Sequence, residues 1–548
     1  MRKTVISSTV LLFLFLFLFP LALCAQETNE TNKFLIHVGS RLTGTEEYTI
    51  TKTAEGVRLT GKSQLEAGGQ PMDFTEELSL APDLSLLRYR LDVSTVAGAQ
   101  SVEAWRDGQT IQMKASAGGQ ERTSTVPFDP SVIVLDNLIT AHFQMVLNSM
   151  GGKPPISSPW TFLVPQVLKA ASGKVAMEGE EQGTLTGKPI LVKKYTIELP
   201  GVLEELWAEA GTNRLMRVNV PLQNVELVRE GFALTPKAEP KKDAAFVERT
   251  LEFPSGSLKF PATLCLPANA TGKKLPIVIL VHGSGPQDRD ETIGPNKPFR
   301  DLAQGLAAAG IATLRYDKRT FAFKSQLDLK TMTIEDETLA DAVAALEFAR
   351  TLPEADAKRV FVLGHSQGAM FAPAIAQRAQ ATGAIMMAAA ERPLDQIIEE
   401  QITFQLKQAG KSEQEIATET DKLKKQFERV RSGEAGDGEI VFYAPVHYWR
   451  DLFSRDPLAD LKKLRAPVLL LQGGKDIQVR KTDYDLAVQA LGGKPPELSE
   501  IHWLPNLNHL FLPVEGDSTG AEYARAANIP PEVIQIISAW VNKQGAGK

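Results

Sequence analysis

Cysteine is nearly missing from this chain of 548 residues: it has two, Cys24 and Cys265. Cys24 lies in an apolar N-terminal stretch, so the rest of the chain holds one thiol and folds without an intramolecular disulfide. Stability has to come from core burial, for which the apolar content of 43% is ample. Cys265 sits inside the run Ala262 to Leu266 and reads as a small buried hydrophobe rather than a reactive thiol. Positive charge is not in excess either: a formal net charge of -6 gives no basic footprint, and nucleic acid is excluded as a partner. Histidine is scarce, at seven residues, and none stands in a Cys- or His-rich spacing that would ligate a metal. His37 and His142 therefore read as ordinary surface or core residues.

Long apolar runs are confined to the N-terminus. Arg2 and Lys3 precede the continuous run Val10 to Leu23, and Ala25 offers a small residue before Gln26. The pattern predicts a secretory signal peptide over residues 1–25, removed after Ala25, which places the mature protein in the periplasm or outside the cell. The alternatives are an uncleaved anchor, for which the run is short of the ~20 residues that span a bilayer, and lipidation at Cys24, where Leu23 replaces the small residue that a lipoprotein signal carries. After cleavage no membrane span is expected.

What the chain has in quantity is patterning. From about residue 26 to 235 apolar and polar residues alternate in short runs between glycine turns, as in Val57-Arg58-Leu59 and Tyr89-Arg90-Leu91-Asp92-Val93. Period two at this spacing predicts antiparallel strands. Asp107-Gly108 marks a hairpin, and a helix interrupts the strands near Val132 to Met150. This predicts a β-rich N-terminal domain, either a curved half-barrel or a sandwich, without a catalytic cluster. The Pro- and charge-rich segment at 236–245 reads as a linker.

From residue 246 to 548 the rhythm changes. A hairpin around Ser255-Gly256 is followed by short apolar strands alternating with helices, which predicts a mostly parallel eight-stranded α/β sheet flanked by helices. The interval from about 391 to 460 is too long for a crossover. Its amphipathic stretches, Leu394 to Ile402 and Ile416 to Val430, and the aromatic residues Phe442, Tyr443, Tyr448 and Trp449 predict a helical cap over the C-terminal edge of the sheet, where ligands bind in such folds.

The chemistry is carried by Gly364-His365-Ser366-Gln367-Gly368, which follows the apolar run Val360 to Leu363 and precedes a helical stretch. A G-x-S-x-G at a strand-to-helix turn is a nucleophile elbow. A serine hydroxyl needs a base, and the base needs an orienting carboxylate. Asp476, in a loop after the seventh strand, and His509, after the eighth, complete a triad in the order Ser, acid, His. Glu391, after the sixth strand, is the alternative acid; His502 lies within a strand, His447 in the cap, and His365 is adjacent to the nucleophile. The oxyanion donors are expected to be the backbone N–H of Gln367 and one in the loop His282-Gly283-Ser284-Gly285-Pro286, with Ser284 chosen and Gly285 left open.

These motifs, with His282 to Asp290, Gly294 to Phe299 and Arg315 to Thr320, resemble the α/β-hydrolase superfamily, in the branch of exported bacterial serine esterases similar to dienelactone hydrolases and serine aminopeptidases. The resemblance covers residues 246 to 548. It implies cleavage of short or medium acyl esters through an acyl-enzyme on Ser366, a small-molecule ester substrate, no metal or organic cofactor, and a bracing role for Asp317 and Arg319 beside the site. Two other readings use the same triad, an aminopeptidase, with Glu399 or Glu400 holding an amine, and a thioesterase. A third, of a different class, is a noncatalytic binding protein on a hydrolase scaffold.

Overall fold

The structure is a computed structural model. It describes residues 28–544 apart from 40, 68–69, 97, 152–158, 201, 236–244, 329, 409 and 493–495. The expected signal peptide and nearly all of the expected linker lie outside the described residues. Among those described, no helix is long and apolar enough to cross a membrane.

Compactness does not divide the chain at the 236–245 segment. One unit has Thr43–Ser149 and Thr161–Ala170 as its body, and the other takes Ala171–Lys548 together with Ile36–Leu42 and Met150–Trp160. In the first unit the strands from Arg41–Thr53 to Gln120–Pro127 follow one another as antiparallel neighbours in one continuous sheet. The alternation has the expected result: Tyr48, Ile50, Leu59, Leu78, Tyr89 and Leu91 are all buried. The interrupting helix forms at Thr140–Ser149. It has no capping side chain of its own, and Glu46, from a strand, accepts hydrogen bonds from Thr140 N at 3.0 Å and Ala141 N at 3.2 Å. A carboxylate there satisfies first-turn donors that burial would otherwise orphan. His142 in this helix is fully buried, and burial pushes its pKa down to about 3, so it is a neutral core residue.

In the second unit the antiparallel strands up to Leu215–Val220 and Val225–Arg229 pack on the α/β residues rather than standing apart. Arg525 pairs with Glu198 at 2.6 Å, and the turn Pro221–Gln223 touches the turn Ala521–Ala524. These contacts are the reason the strands after Ala171 group with the C-terminal half.

The α/β sheet has eight strands, here β1 (Phe246–Ser255), β2 (Leu258–Pro267), β3 (Leu275–Val281), β4 (Ala312–Tyr316), β5 (Ala355–His365), β6 (Gly383–Met387), β7 (Val468–Gly473) and β8 (Glu500–Leu504). Their spatial order is 1-2-4-3-5-6-7-8, antiparallel only at β1 and β2. β3, β4, β6 and β7 are buried along their whole length; β3 and β6 accordingly read as unbroken apolar runs, while β4 buries Thr313 and Arg315 and β7 buries Gln472. Cys265 in β2 is buried, and burial pushes its thiol up to about 12, which leaves it unreactive.

The cap begins with the helices Leu394–Gln408 and Glu413–Ser432. The second carries its own boundaries: Ser412 and Glu415 form a capping box, and Gly433 closes the end in a left-handed conformation at φ 84°. It buries Ile416, Leu423, Phe427 and Val430, one stripe at helical spacing.

Replacing Glu46 should loosen the first unit locally. Glu46→Ala leaves two buried N–H donors unpaired, at about 1–3 kcal/mol each, and native-state hydrogen exchange is expected to show lost protection over residues 140–149. Unchanged protection there would contradict the cap.

Candidate active site

Ser366 stands between β5 and the helix Gln367–Arg378, at φ 53° and ψ -116°. A non-glycine residue held there costs of order 1–3 kcal/mol. The flanking glycines make the turn sterically feasible: a Cβ on Gly364 would lie 2.1 Å from Gly368 O, and one on Gly368 would lie 2.3 Å from Val281 O. Ser366 N donates to Met387 O at 2.9 Å, which fastens the turn to the end of β6.

The acid and the base meet as the sequence predicts. Asp476 Oδ2 accepts from His509 Nδ1 at 2.8 Å, while Gln472 Nε2 at 3.1 Å and the backbone N–H groups of Gln478 and Val479, at 2.8 and 2.9 Å, hold the same carboxylate. With Nδ1 donating, Nε2 of His509 is left as the acceptor nitrogen. Asn508 shapes the loop, its Oδ1 accepting from Leu510 N and Leu512 N, each at 3.0 Å. Ser366 and His509 are not hydrogen-bonded to each other. They are neighbours through His365, whose ring lies 4.7 Å from that of His509, and such contacts commonly tighten only when substrate is bound.

Ser284, Ser366 and Gln367 all line one cavity of about 570 Å³. Neither the Ser284 nor the Gln367 N–H has an acceptor among the described residues. The remaining walls are largely apolar: Leu394, Ile397 and Ile398 from the first cap helix, and Phe442, Tyr448 and Trp449 from the aromatic segment. Glu399 and Glu400 are not in this lining. Glu399 pairs with Lys424 at 2.8 Å and Glu400 with Arg392 at 2.5 Å. Of the bracing pair, Asp317 does hold the loop after β3, through Arg289 at 2.7 Å, whereas Arg319 binds Asp341 at 2.6 Å, away from that loop. His447 faces Asp437 at 3.7 Å in the cap, and His502 faces Glu500 at 3.1 Å in β8. No group of three or more His, Cys, Asp or Glu suited to a metal occurs among the described residues.

Sequence reasoning missed the charges that hold the Ser284 loop. Glu291 Oε1 accepts from Gly283 N at 2.9 Å and from His365 Nδ1 at 3.1 Å, and His365 Nε2 donates to the backbone oxygen of His509 at 2.8 Å. Burial opposes both charges, yet the partners win: His365 is held above its ordinary pKa by Glu291, and Glu291 below its own by His365. On the other side Lys318 Nζ donates to Gly283 O at 2.8 Å and pairs with Glu337 at 3.3 Å. Gly283 is thus clamped at both its N–H and its carbonyl. Gln367 Nε2 donates to Tyr448 Oη at 2.7 Å, which ties the elbow to the cap.

Glu391, the alternative acid, is buried with both carboxylate oxygens unpartnered among the described residues, and its N–H goes to Asp483. Burial first, then the Asp483 and Asp456 charges, push its pKa from 4.5 to about 8. Folded, it keeps its proton at neutral pH; unfolded, it would lose it near the ordinary value. Its contribution to stability is therefore full at low pH and is lost as pH rises toward and through 8. Glu391→Gln is expected to flatten that decline, with a melting temperature that falls less between pH 5 and 8.5 than in the parent protein; equal slopes would contradict the assignment.

Residues 278–526 match a model of the alpha/beta hydrolase family. Esterase EstD of Thermotoga maritima is 41% identical over 268 residues, which are 49% of this chain and 62% of that protein, so the match spans less than two thirds of the relative's length. Among solved structures, Est1E from Butyrivibrio proteoclasticus is 16% identical, with a TM-score of 0.35, covering 54% of this chain and 98% of its own. The Pyrococcus furiosus esterase Pf2001 is 14% identical, with a TM-score of 0.36, covering 57% and 95%. The C-terminal half of the chain is an α/β-hydrolase domain, similar in sequence to a bacterial esterase.

Proposed function

We propose that the protein is a serine carboxylesterase acting on short or medium acyl esters. The observation that carries this reading is one cavity lined by a strained serine, by two residues whose backbone N–H groups have no acceptor among the described residues, and by Gln478 and Val479 of the loop whose Asp476 holds His509. His509 Nε2 takes the proton of Ser366, and Oγ attacks the ester carbonyl. The N–H groups of Gln367 and Ser284 receive the oxyanion, donors worth roughly 10²–10³ each in rate. The tetrahedral intermediate collapses, the alcohol leaves with the proton from the imidazolium, and water repeats the sequence to free the acid. Asp476 holds the tautomer and stabilises the imidazolium.

The cavity favours an ester over an aminoacyl amide. Its one carboxylate among the described lining residues, Glu337, is engaged by Lys318 and Thr320, and the cap residues Glu399 and Glu400 are paired outside it, so none of these carboxylates is free to hold an ammonium group. The N-terminal apolar stretch supports export by a cleaved signal peptide.

Ser366→Ala is expected to lower turnover of p-nitrophenyl acetate by on the order of 10⁴–10⁶, and a fluorophosphonate probe should label the parent protein at Ser366 but not the variant. Near-parental turnover in the variant would end the proposal, and a protein that neither labels nor turns over would be the noncatalytic binding scaffold.

A further inference from the structure

A second cavity, of about 390 Å³, adjoins the first. Gln401 and Gln478 line both, and Gln401 Nε2 donates to the backbone oxygen of Gln478 at 3.2 Å, so the two spaces share one wall. The second cavity is built from three sources. The cap helix gives Gln401, Phe404, Gln405 and Gln408, at i, i+3, i+4 and i+7, which is one face. The loop after Asp476 gives Ile477 and Gln478, and the chain beyond His509 gives Thr519, Gly520 and Tyr523. Pro200 and Leu222, from the antiparallel strands that precede the α/β half, close it. Its size is within the roughly 300–1,000 Å³ of small-ligand sites.

The lining has an unusual chemistry. It contains no ionised side chain, yet four of its members are glutamines, beside Thr519 and the rings of Phe404 and Tyr523. The amides of Gln405 and Gln408 have no hydrogen-bond partner among the described residues. Amides offer both donors and an acceptor, which matches a ligand with many hydroxyls, and aromatic rings match its apolar face. Place decides the rest. The alcohol oxygen of an ester takes its proton from the imidazole, so the alcohol part of the substrate must extend to the side where the acid and base loops lie, and those loops wall this cavity. The apolar first cavity is left for the acyl chain.

We propose that the second cavity is an alcohol-side subsite for a neutral, polyhydroxylated group, a sugar unit or its equivalent, and that the protein deacylates esters of such alcohols. This rests on the esterase reading above. In the reaction the ester C–O bond breaks, the acyl group passes to Ser366 Oγ, and the sugar hydroxyl departs with the proton from His509.

The test uses the full chain and two esters of the same acid, ethyl butyrate and a mono-butyrylated neutral disaccharide. The parent protein is expected to show the higher kcat/KM on the disaccharide ester. Phe404→Ala and Gln405→Leu, neither of which lines the first cavity, should each lower kcat/KM on that ester by about tenfold, the effect of one lost contact of ~1.4 kcal/mol, and leave ethyl butyrate within about twofold. Failure of the parent protein to prefer the disaccharide ester, no loss in either variant, or an equal loss on both esters would overturn the subsite. If no ester is hydrolysed, the esterase reading has failed instead. The free disaccharide then reads the cavity alone: saturation-transfer NMR signals present in the parent and lost in both variants support it, and their absence in the parent overturns it.

Discussion

Everything at the site depends on one residue held in a backbone conformation that it would not choose. Ser366, at φ 53°, turns the chain from β5 directly into a helix, and that turn alone brings its hydroxyl to the end of the sheet and the Gln367 N–H to the same side. The strain of order 1–3 kcal/mol is offset by what lies on both flanks. β5 is buried from Val360 to His365, and the helix buries most of its length against the sheet. Gly364 and Gly368 are then steric requirements, since any side chain at either would overlap backbone. A sequence that loses either glycine loses the turn, not merely some stability.

A strained turn is useful only if its partners are equally fixed, and here they come from different strands. The Ser284 loop follows β3, His365 ends β5, and His509 follows β8. The buried Glu291–His365 pair joins all three, because the carboxylate holds Gly283 N while the imidazole holds the His509 carbonyl. Burying a pair of this kind gains little net stability, since desolvation consumes much of the attraction. What it supplies is position: removing either member would strand the other charge and release two loops at once. Lys318 does the same from the opposite side of Gly283, in a shell with Glu337 and Thr320.

Much of this was legible in the sequence because it is local. The central strands β3 and β6 announce themselves as apolar runs since both faces of the sheet are covered there, and the elbow does so since its steric demands admit only glycine around the serine. Asp476 and His509 could be singled out because each sits at the end of a strand in a fixed order, and the structure joins the two by a hydrogen bond. Glu291 and Lys318 could not be read in this way. Their partners are 74 and 35 residues away in sequence, no periodicity marks them, and a charged side chain is usually solvated. The break between the two compact units was also hidden. Composition pointed to the Pro-rich segment near 240, whereas the packing that decides it, as between Glu198 and Arg525, joins positions 327 apart.

That displaced boundary changes what the antiparallel strands are for. Had the chain divided at the Pro-rich segment, the cap would be the only element outside the sheet able to select a substrate. Because the strands after Ala171 pack on the α/β half, Pro200 and Leu222 reach a cavity whose other walls are the cap helix and the loops that carry Asp476 and His509. One helix, Leu394–Gln408, then looks two ways: Leu394, Ile397 and Ile398 give the first cavity apolar walls, and Phe404, Gln405 and Gln408 give the second a polar and aromatic one. The split falls along the helix rather than around it, with Gln401 between the two halves. An ester lying across Gln401 would present its acyl part to aliphatic side chains and its alcohol part to amides, and on the proposed reading the same fifteen-residue helix would set which end of the substrate goes where.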